Sequence, residues 1–360
     1  IYTLSLHDAL PILVIVFPFG ERPRRALRED RVRAYSRSPS CPTTFHWSDF
    51  GMQAILIVLP IFLLIAFGWL LRQKGFFTPQ TMKENNSLLY CFAMPALLFR
   101  GILGAESRIP NAGLFTLAVC SPYLITVLVV WLLARRGEPV RRFATLSLAA
   151  TRGNHFFAGL PILGLALGEA GIAAGTLLLA FSLAFMQFLS IGSGQLALFG
   201  SISVESLKRT GLRLLRNPLF LACLLAVFLI FAKLDRLPPW LDMTLKMLAD
   251  IGTGLALLML GARIELQEAG RAFLTTWKLQ LVKLIVHPAV TCAVLSLFGL
   301  SPILVQAGTL LAAMPEAVNT TIIAQEMGMD GDYCALGTTA SVLLSMLTLP
   351  LWLHLLGAIR

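Results

Sequence analysis

The chain has 360 residues, of which 57% are hydrophobic and only 13% charged, and its mean hydropathy is +0.77. This apolar content exceeds what a soluble chain of this length needs to fill a core, so the composition excludes an ordinary soluble protein and predicts a membrane protein. The net charge of +10 comes without a basic patch interleaved with aromatic residues, which argues against a nucleic-acid partner.

Residues 1–51 are expected to be foreign to the native protein. Residues 2–12 match the translation of a common sequencing-adaptor DNA, and the stretch after them is rich in Arg, Pro and Ser without an amphipathic period. Residues 10–19 are apolar, but no basic residue precedes them as a secretory signal requires. The native chain is therefore predicted to start at Met52, which opens the first apolar helix.

Apolar segments recur after Met52, most of them near the roughly 20 residues that a spanning helix requires. They are 53–71, 87–105, 112–134, 143–167, 172–199, 217–232, 247–264, 279–300, 303–324 and 334–358. The sequence therefore predicts an all-α integral membrane protein with ten transmembrane helices.

The two halves of the chain are related by an offset of 160 residues, which places 53–71 on 213–231 and 143–167 on 303–327. The third pair of helices fits this offset less closely. Because five helices is an odd number, the second half enters the membrane from the opposite side, so the repeat is predicted to be inverted. The predicted divisions are 52–199 for the first repeat, 200–216 for a cytoplasmic linker and 217–360 for the second repeat.

Lys and Arg in the short loops predict the orientation. One set of loops holds Arg72, Lys74, Lys83, Arg135, Arg136, Arg141, Arg142, Lys208, Arg209, Arg213, Arg216, Arg263, Arg271 and Lys278. The other set holds only Arg100, Arg108, Lys233, Arg236, Lys246 and Arg360. The first set is expected in the cytoplasm, which leaves both native termini outside a bacterial inner membrane.

Helix-breaking and polar residues interrupt two of the segments at equivalent places in the two halves. The interruptions are Arg152-Gly153-Asn154-His155 with Gly159-Leu160-Pro161, and Met314-Pro315-Glu316 with Asn319-Thr320-Thr321. Backbone that leaves a helix inside a membrane must find partners within the protein or in a watery cavity, so paired interruptions predict the binding site of a transporter.

The interruptions are expected to place two half-helix N-termini near each other, and their free N–H groups suit an anion. The amides of Asn154 and Asn319 either bind a substrate oxygen or pair with freed backbone groups. The predicted substrate-binding residues are Arg152, Gly153, Asn154, Pro161, Met314, Pro315, Asn319 and Thr320.

Arg152 lies near the centre of its segment, where an arginine costs roughly 2.5 to 3.5 kcal/mol. Three arrangements offset this cost: a substrate carboxylate on the guanidinium, a fixed ion pair with Glu316, or extension of the side chain along the helix to the membrane surface. The sequence leaves the three open.

Other ionisable residues in the apolar segments are candidates for proton or ion coupling: Glu316, His155, Asp250 and Lys283. His155 and His287 are each more often structural than functional, and Lys283 is close enough to a predicted helix end to reach the surface. Gln187 and Gln195 of the fifth helix either face the site or bond a neighbouring helix.

Signatures of metal, redox or catalytic chemistry are missing from the sequence. The six cysteines lack metal-binding or redox spacing, and no phosphate loop, His-Glu-x-x-His or Gly-x-Ser-x-Gly occurs. We therefore expect no enzyme, no metal and no cofactor beyond a proton or sodium gradient.

Short motifs follow one another in a fixed order over residues 52–360. They are Ile57-Val58-Leu59-Pro60-Ile61-Phe62, Ala93-Met94-Pro95-Ala96-Leu97-Leu98-Phe99, Arg152-Gly153-Asn154 with Gly159-Leu160-Pro161, Leu255-Ala256-Leu257-Leu258-Met259-Leu260-Gly261, Ala313-Met314-Pro315 with Asn319, and Leu347-Thr348-Leu349-Pro350. In this order and spacing the chain resembles the auxin efflux carrier family of bacterial and plant transporters.

The resemblance implies two inverted five-helix repeats with crossovers in the fourth and ninth helices. It also implies a dimerising scaffold of helices one, two, six and seven, against which the other six helices move. The implied substrate is an organic anion, such as malate or malonate in bacterial relatives and auxin in plants. Two features depart from the family: Glu316 stands where a small or hydroxyl residue is expected, and the third helix, 112–134, has no carboxylate.

The sequence thus favours a secondary active transporter that moves a small organic acid anion by alternating access, as a homodimer in the lipid bilayer. One alternative is a sodium-coupled organic anion symporter of the bile-acid-carrier type. Another is a membrane sensor that binds a ligand without moving it.

Overall fold

The computed structural model describes residues 47–104, 111–234, 236–264, 268–317 and 319–357, and within these ranges all regular elements are helices. The helices are α1 (Trp47–Gln73), α2 (Pro79–Leu88), α3 (Met94–Gly104), α4 (Ala112–Ala134), α5 (Val140–Ala149), α6 (Leu160–Phe199), α7 (Val204–Leu215), α8 (Pro218–Phe231), α9 (Pro239–Gly261), α10 (Ala269–Leu281), α11 (His287–Leu297), α12 (Pro302–Ala312), α13 (Asn319–Glu326) and α14 (Gly331–Leu355). Single π-helical turns at Leu89–Ala93, His155–Gly159 and Val282–Val286 lead into α3, α6 and α11. The prediction that residues 1–51 are foreign lies outside the described residues, except for positions 47–51.

Six helical stretches of the described chain are long and apolar enough to span a membrane, and a seventh results if the bent pair of α7 and α8 is one span. The six are Pro79–Gly104, Ala112–Ala134, His155–Phe199, Pro239–Gly261, Ala269–Leu297 and Gly331–Leu355. Residues 59–73 of α1 and the whole of α12 are shorter apolar helices. The described part of the chain is therefore all-helical, and its long apolar helices are those of a multi-pass membrane protein.

Helix α6 is one 40-residue element that covers the end of the predicted segment 143–167 and the whole of 172–199. It is two helices joined at Gly168, whose φ of 68° and ψ of −159° are not helical. Because glycine has no Cβ, it adopts this conformation without the clash that other residues meet. The turn therefore falls at the end of the predicted segment 143–167.

Two elements differ from the expected boundaries because a search for apolar segments overlooks polar helices. The second helix starts at Pro79 rather than at 87, and Thr78 caps it by accepting the N–H of Thr81 at 3.2 Å. The predicted linker 200–216 is mostly helix α7, which begins after Ser203 and carries Lys and Arg beside leucines.

One group of helices consists of α1, α3, α8 and α9. Helix α9 packs on α1 and α3, and α8 packs on α3. The closest approach uses glycine, because a Cβ on Gly261 would fall on the carbonyl oxygen of Ile65 in α1. Arg100 and Asp242 join α3 to α9 through a 2.6 Å ion pair.

A second set of helices packs together around α6, which also contacts α3 of the first group. Helices α4, α5 and α12 contact α6 directly, α11 lies against α4 and α12, and α10 packs along α14. Buried polar side chains pair inside this group: the Thr126 hydroxyl and His287 Nδ1 lie 2.8 Å apart, which joins α4 to α11. The two interruptions, between α5 and α6 and between α12 and α13, both belong to this group.

Candidate functional site

The two interruptions lie against each other and exchange hydrogen bonds. The N–H of Asn154 donates to the Pro315 carbonyl at 2.7 Å, and the N–H of Ala317 donates to the Arg152 carbonyl at 3.0 Å. These bonds form an isolated antiparallel bridge between Gly153 and Glu316. Backbone groups that left their helices therefore find partners in the opposite interruption, as a low-dielectric environment requires.

Glycine is required at position 153 by its neighbours. A Cβ there would lie 2.6 Å from Nε2 of His155 and 3.2 Å from Nζ of Lys283. Any larger residue would push these two side chains or separate the interruptions. Gly153 thus has a steric reason to be glycine, and its role in substrate binding stays a prediction.

Arg152 is 2% exposed, and neutral oxygens hold its guanidinium. Nε donates to the Thr320 hydroxyl at 3.3 Å, while Nη1 donates to the Gln187 side-chain oxygen and to the Ser190 hydroxyl at 3.1 Å. Nη2 donates to no described residue, and ion pairs among the described residues do not join Arg152 to Glu316. The guanidinium therefore has no paired carboxylate among the described residues, although the Glu316 carboxylate is near enough to attract it electrostatically.

Glu316 is fully buried and faces α14. Its Oε1 accepts from the Cys334 thiol at 2.9 Å, and its backbone N–H donates to the Ser341 hydroxyl at 2.9 Å. Oε2 has no hydrogen-bond partner and lies 2.9 Å from the place that a Cβ on Gly337 would take. One oxygen of this buried carboxylate thus accepts no hydrogen bond from the described residues.

Lys283 and His155 lie on the same side of Gly153. The ammonium of Lys283 is fully buried and donates to the Ala312 carbonyl, at the C-terminal end of α12, at 2.7 Å. The alternative that Lys283 reaches the membrane surface is wrong, because this internal acceptor and the dipole end of α12 stabilise the charge inside. His155 is 1% exposed, and neither ring nitrogen has a hydrogen-bond partner among the described residues.

A cavity of about 410 Å³ opens beside the paired interruptions. Its polar lining includes Arg152, Asn154, His155, Gln187 and Asn319, and its apolar lining comes mostly from Phe, Met and Leu side chains. The lining contains no Asp or Glu. Because each half-helix also begins here with N–H groups that have no partner in their own helix, the cavity is suited to an organic anion.

The other predicted residues fall into two sets. Thr320 contacts Arg152 directly, and Pro161, Met314 and Pro315 are buried in the helix start and in the interruption without lining the cavity. Asp250 is not brought to the site, because its exposed side chain pairs with Lys246 at 3.3 Å.

Several residues of the site were not expected from the sequence. Ser190 lies one helical turn after Gln187, and Cys334 touches Glu316, but neither has a signature in an apolar segment. Asn86, Tyr90 and Arg263 line the cavity from α2, the π-turn after it and the end of α9. Arg263 was counted among the Lys and Arg residues of one set of loops, and that count did not indicate that it lines the cavity.

Comparisons with known proteins cover nearly the whole described chain. A family model described as membrane transport protein matches residues 53–192 and 200–353, which include both interruptions and the whole cavity lining. A Rhizobium meliloti protein named "Putative malonate transporter" is 27% identical over 307 residues, which are 83% of this chain and 95% of that protein. An "Uncharacterized transporter" of Methanothermobacter thermautotrophicus is 23% identical over 306 residues, or 82% and 96% of the two chains.

Proposed function

The chain belongs to the auxin efflux carrier family of membrane transport proteins, and from this premise we propose that it is a secondary active transporter of a small organic acid anion. Malonate and malate are the first candidates, because a relative of similar length carries malonate in its name. The proposed mechanism is alternating access, in which the site faces one side of the membrane at a time.

The observation that carries the proposal is the buried guanidinium of Arg152 in a cavity without carboxylates. Burying a guanidinium that no carboxylate pairs with directly is costly, whereas a substrate carboxylate on Nη2 offsets the cost and forms a charge-assisted hydrogen bond. The amides of Asn154 and Asn319 supply further donors for the bound anion, and Gly153 and Thr320 hold the guanidinium and the interruption in place.

The proposed architecture has ten spans in two inverted five-helix repeats, with the division at 200–216. In it the α5–α6 and α12–α13 interruptions are crossovers near the midplane, and the group around α6 moves against α1, α3, α8 and α9. Helices α8 and α9 expose large apolar side chains, such as Phe228, Trp240 and Met247. Such a surface suits contact with lipid or with a second copy of the chain in a homodimer. The positive loops place both native termini outside the plasma membrane.

The proposed coupling site is the buried set of Glu316, Lys283 and His155, of which His155 also lines the central cavity. The Glu316 carboxylate accepts a hydrogen bond at only one oxygen, the Lys283 ammonium donates to a single carbonyl, and the His155 ring has no partner among the described residues. In the proposed mechanism these three groups change their charge or their contacts when the interruption moves. A proton is the proposed coupling ion, and sodium coupling is the alternative.

The test is uptake of labelled mono- and dicarboxylates into liposomes that contain the purified protein, with no gradient, a pH gradient or a sodium gradient. The proposal predicts saturable uptake of at least one acid that a pH gradient accelerates. Acceleration by sodium alone would favour the sodium symporter, and binding without uptake would favour a sensor.

A further inference from the structure

Arg263 lies two residues after the end of α9 and lines two adjoining cavities. One is the central cavity that contains Arg152, and the other is an outer cavity of about 590 Å³ that also contains Arg72 and Lys83. Asn86, Tyr90 and Arg263 line both, so they form the boundary between the two spaces. Arg263 therefore stands where an anion would pass from the outer cavity to the central one.

The Arg263 side chain is partly buried and makes no hydrogen bond or ion pair with a described residue. Burial lowers the pKa of its guanidinium, with no acidic group counteracting the shift. An arginine nevertheless stays protonated in proteins, so the charge persists without an ion-pair partner among the described residues. Arg100, which lies at the opposite end of α9, is in contrast paired with Asp242.

The lining of the central cavity thus includes two guanidinium groups, those of Arg152 and Arg263, and among the described residues it holds no Asp or Glu. A monocarboxylate balances only one of these charges. A dicarboxylate balances both, with one carboxylate at Arg152 and the other at the boundary, where the Asn86 amide and the Tyr90 hydroxyl offer additional hydrogen bonds.

We propose that Arg263 is the second anion-binding residue of the transport site and that it sets a preference for dicarboxylates over monocarboxylates. The inference rests on the proposed transport of an organic acid anion and adds the residue that selects among such anions. If Arg263 only attracted anions to the outer cavity, its removal would weaken the binding of mono- and dicarboxylates to the same extent.

The test compares malonate with malonamate, in which a neutral amide replaces one carboxylate, and succinate with succinamate. Affinities come from ligand-induced shifts in Tm of the purified full-length protein, and inhibition of labelled uptake provides a second readout. The parent is expected to bind the diacid roughly tenfold or more tightly than its monoamide. In Arg263→Gln the affinity for the diacid is expected to fall to that for the monoamide. The affinity for the monoamide is expected to stay as it is in the parent.

Arg271→Gln is the matched control, because Arg271 is exposed, pairs with Glu268 and lines neither cavity. Arg263→Met provides a second neutral side chain if the Gln variant does not fold. An unchanged diacid preference in either folded variant, or equal weakening of both ligands, would overturn the inference. If the parent binds no acid of the panel, the proposed transport of organic acids fails as well, so the two failures are distinguishable.

Discussion

Replacing Arg152 by Gln removes one of the two positive charges that line the central cavity and keeps a polar side chain. In the structure Nε and Nη1 are engaged by Thr320, Gln187 and Ser190, which leaves Nη2 for the substrate. A hydrogen bond to a charged group contributes about 1.5–3 kcal/mol. Since about 1.4 kcal/mol corresponds to a factor of ten, KM for the transported acid is expected to rise roughly 10- to 140-fold.

The assay is the initial rate of labelled malonate uptake into proteoliposomes as a function of malonate concentration. Arg136→Gln is the control, because Arg136 is exposed at the end of α4 and lies outside the cavity. Thermal unfolding of each variant in detergent checks that the protein is folded. A folded Arg152→Gln variant whose KM stays within about twofold of the parent would refute the role of the guanidinium.

Three further substitutions test the packing, the interruption and the coupling site. Gly261→Ala places a Cβ on a carbonyl oxygen of α1 and is expected to cost about 1–3 kcal/mol, seen as a lower Tm, whereas Gly254→Ala has no neighbour within 4 Å and should not lower it. Gly153→Ala puts a Cβ 2.6 Å from an imidazole nitrogen and should slow uptake at least about tenfold. Gly192→Ala is its control, because the nearest atom to the new Cβ is 3.7 Å away, and its uptake rate should match that of the parent. Glu316→Gln keeps the shape of the side chain and should abolish acceleration by a pH gradient without stopping exchange of internal and external acid. Persistent acceleration would exclude Glu316 as the proton carrier.

The positions of the interruptions and the polar residues within them were predictable from the sequence. Arg152, Asn154 and Asn319 stand out because a charge or an amide inside a long apolar segment demands a local reason. The structure places all three on one cavity. The hydropathy of the segments and the offset between the halves were sufficient for this prediction.

The partners of these residues could not be predicted, because they depend on helix rotation and on contacts distant in sequence. Ser190 and Cys334 resemble ordinary small residues of apolar helices until α6 and α14 turn them toward Arg152 and Glu316. Lys283 resembled a lysine that extends to the surface, and only its 2.7 Å bond to Ala312 shows why it stays inside.

The most direct test of the central claim is counterflow of labelled malonate in proteoliposomes that are loaded with unlabelled malonate and have no imposed ion gradient. Counterflow depends on a carrier that binds the anion on both sides, and it needs no coupling ion gradient. A transient accumulation of label with the parent protein, absent with folded Arg152→Gln, is the predicted result. Accumulation of equal size with both proteins, or no exchange of any acid of the panel by the parent, would contradict the account.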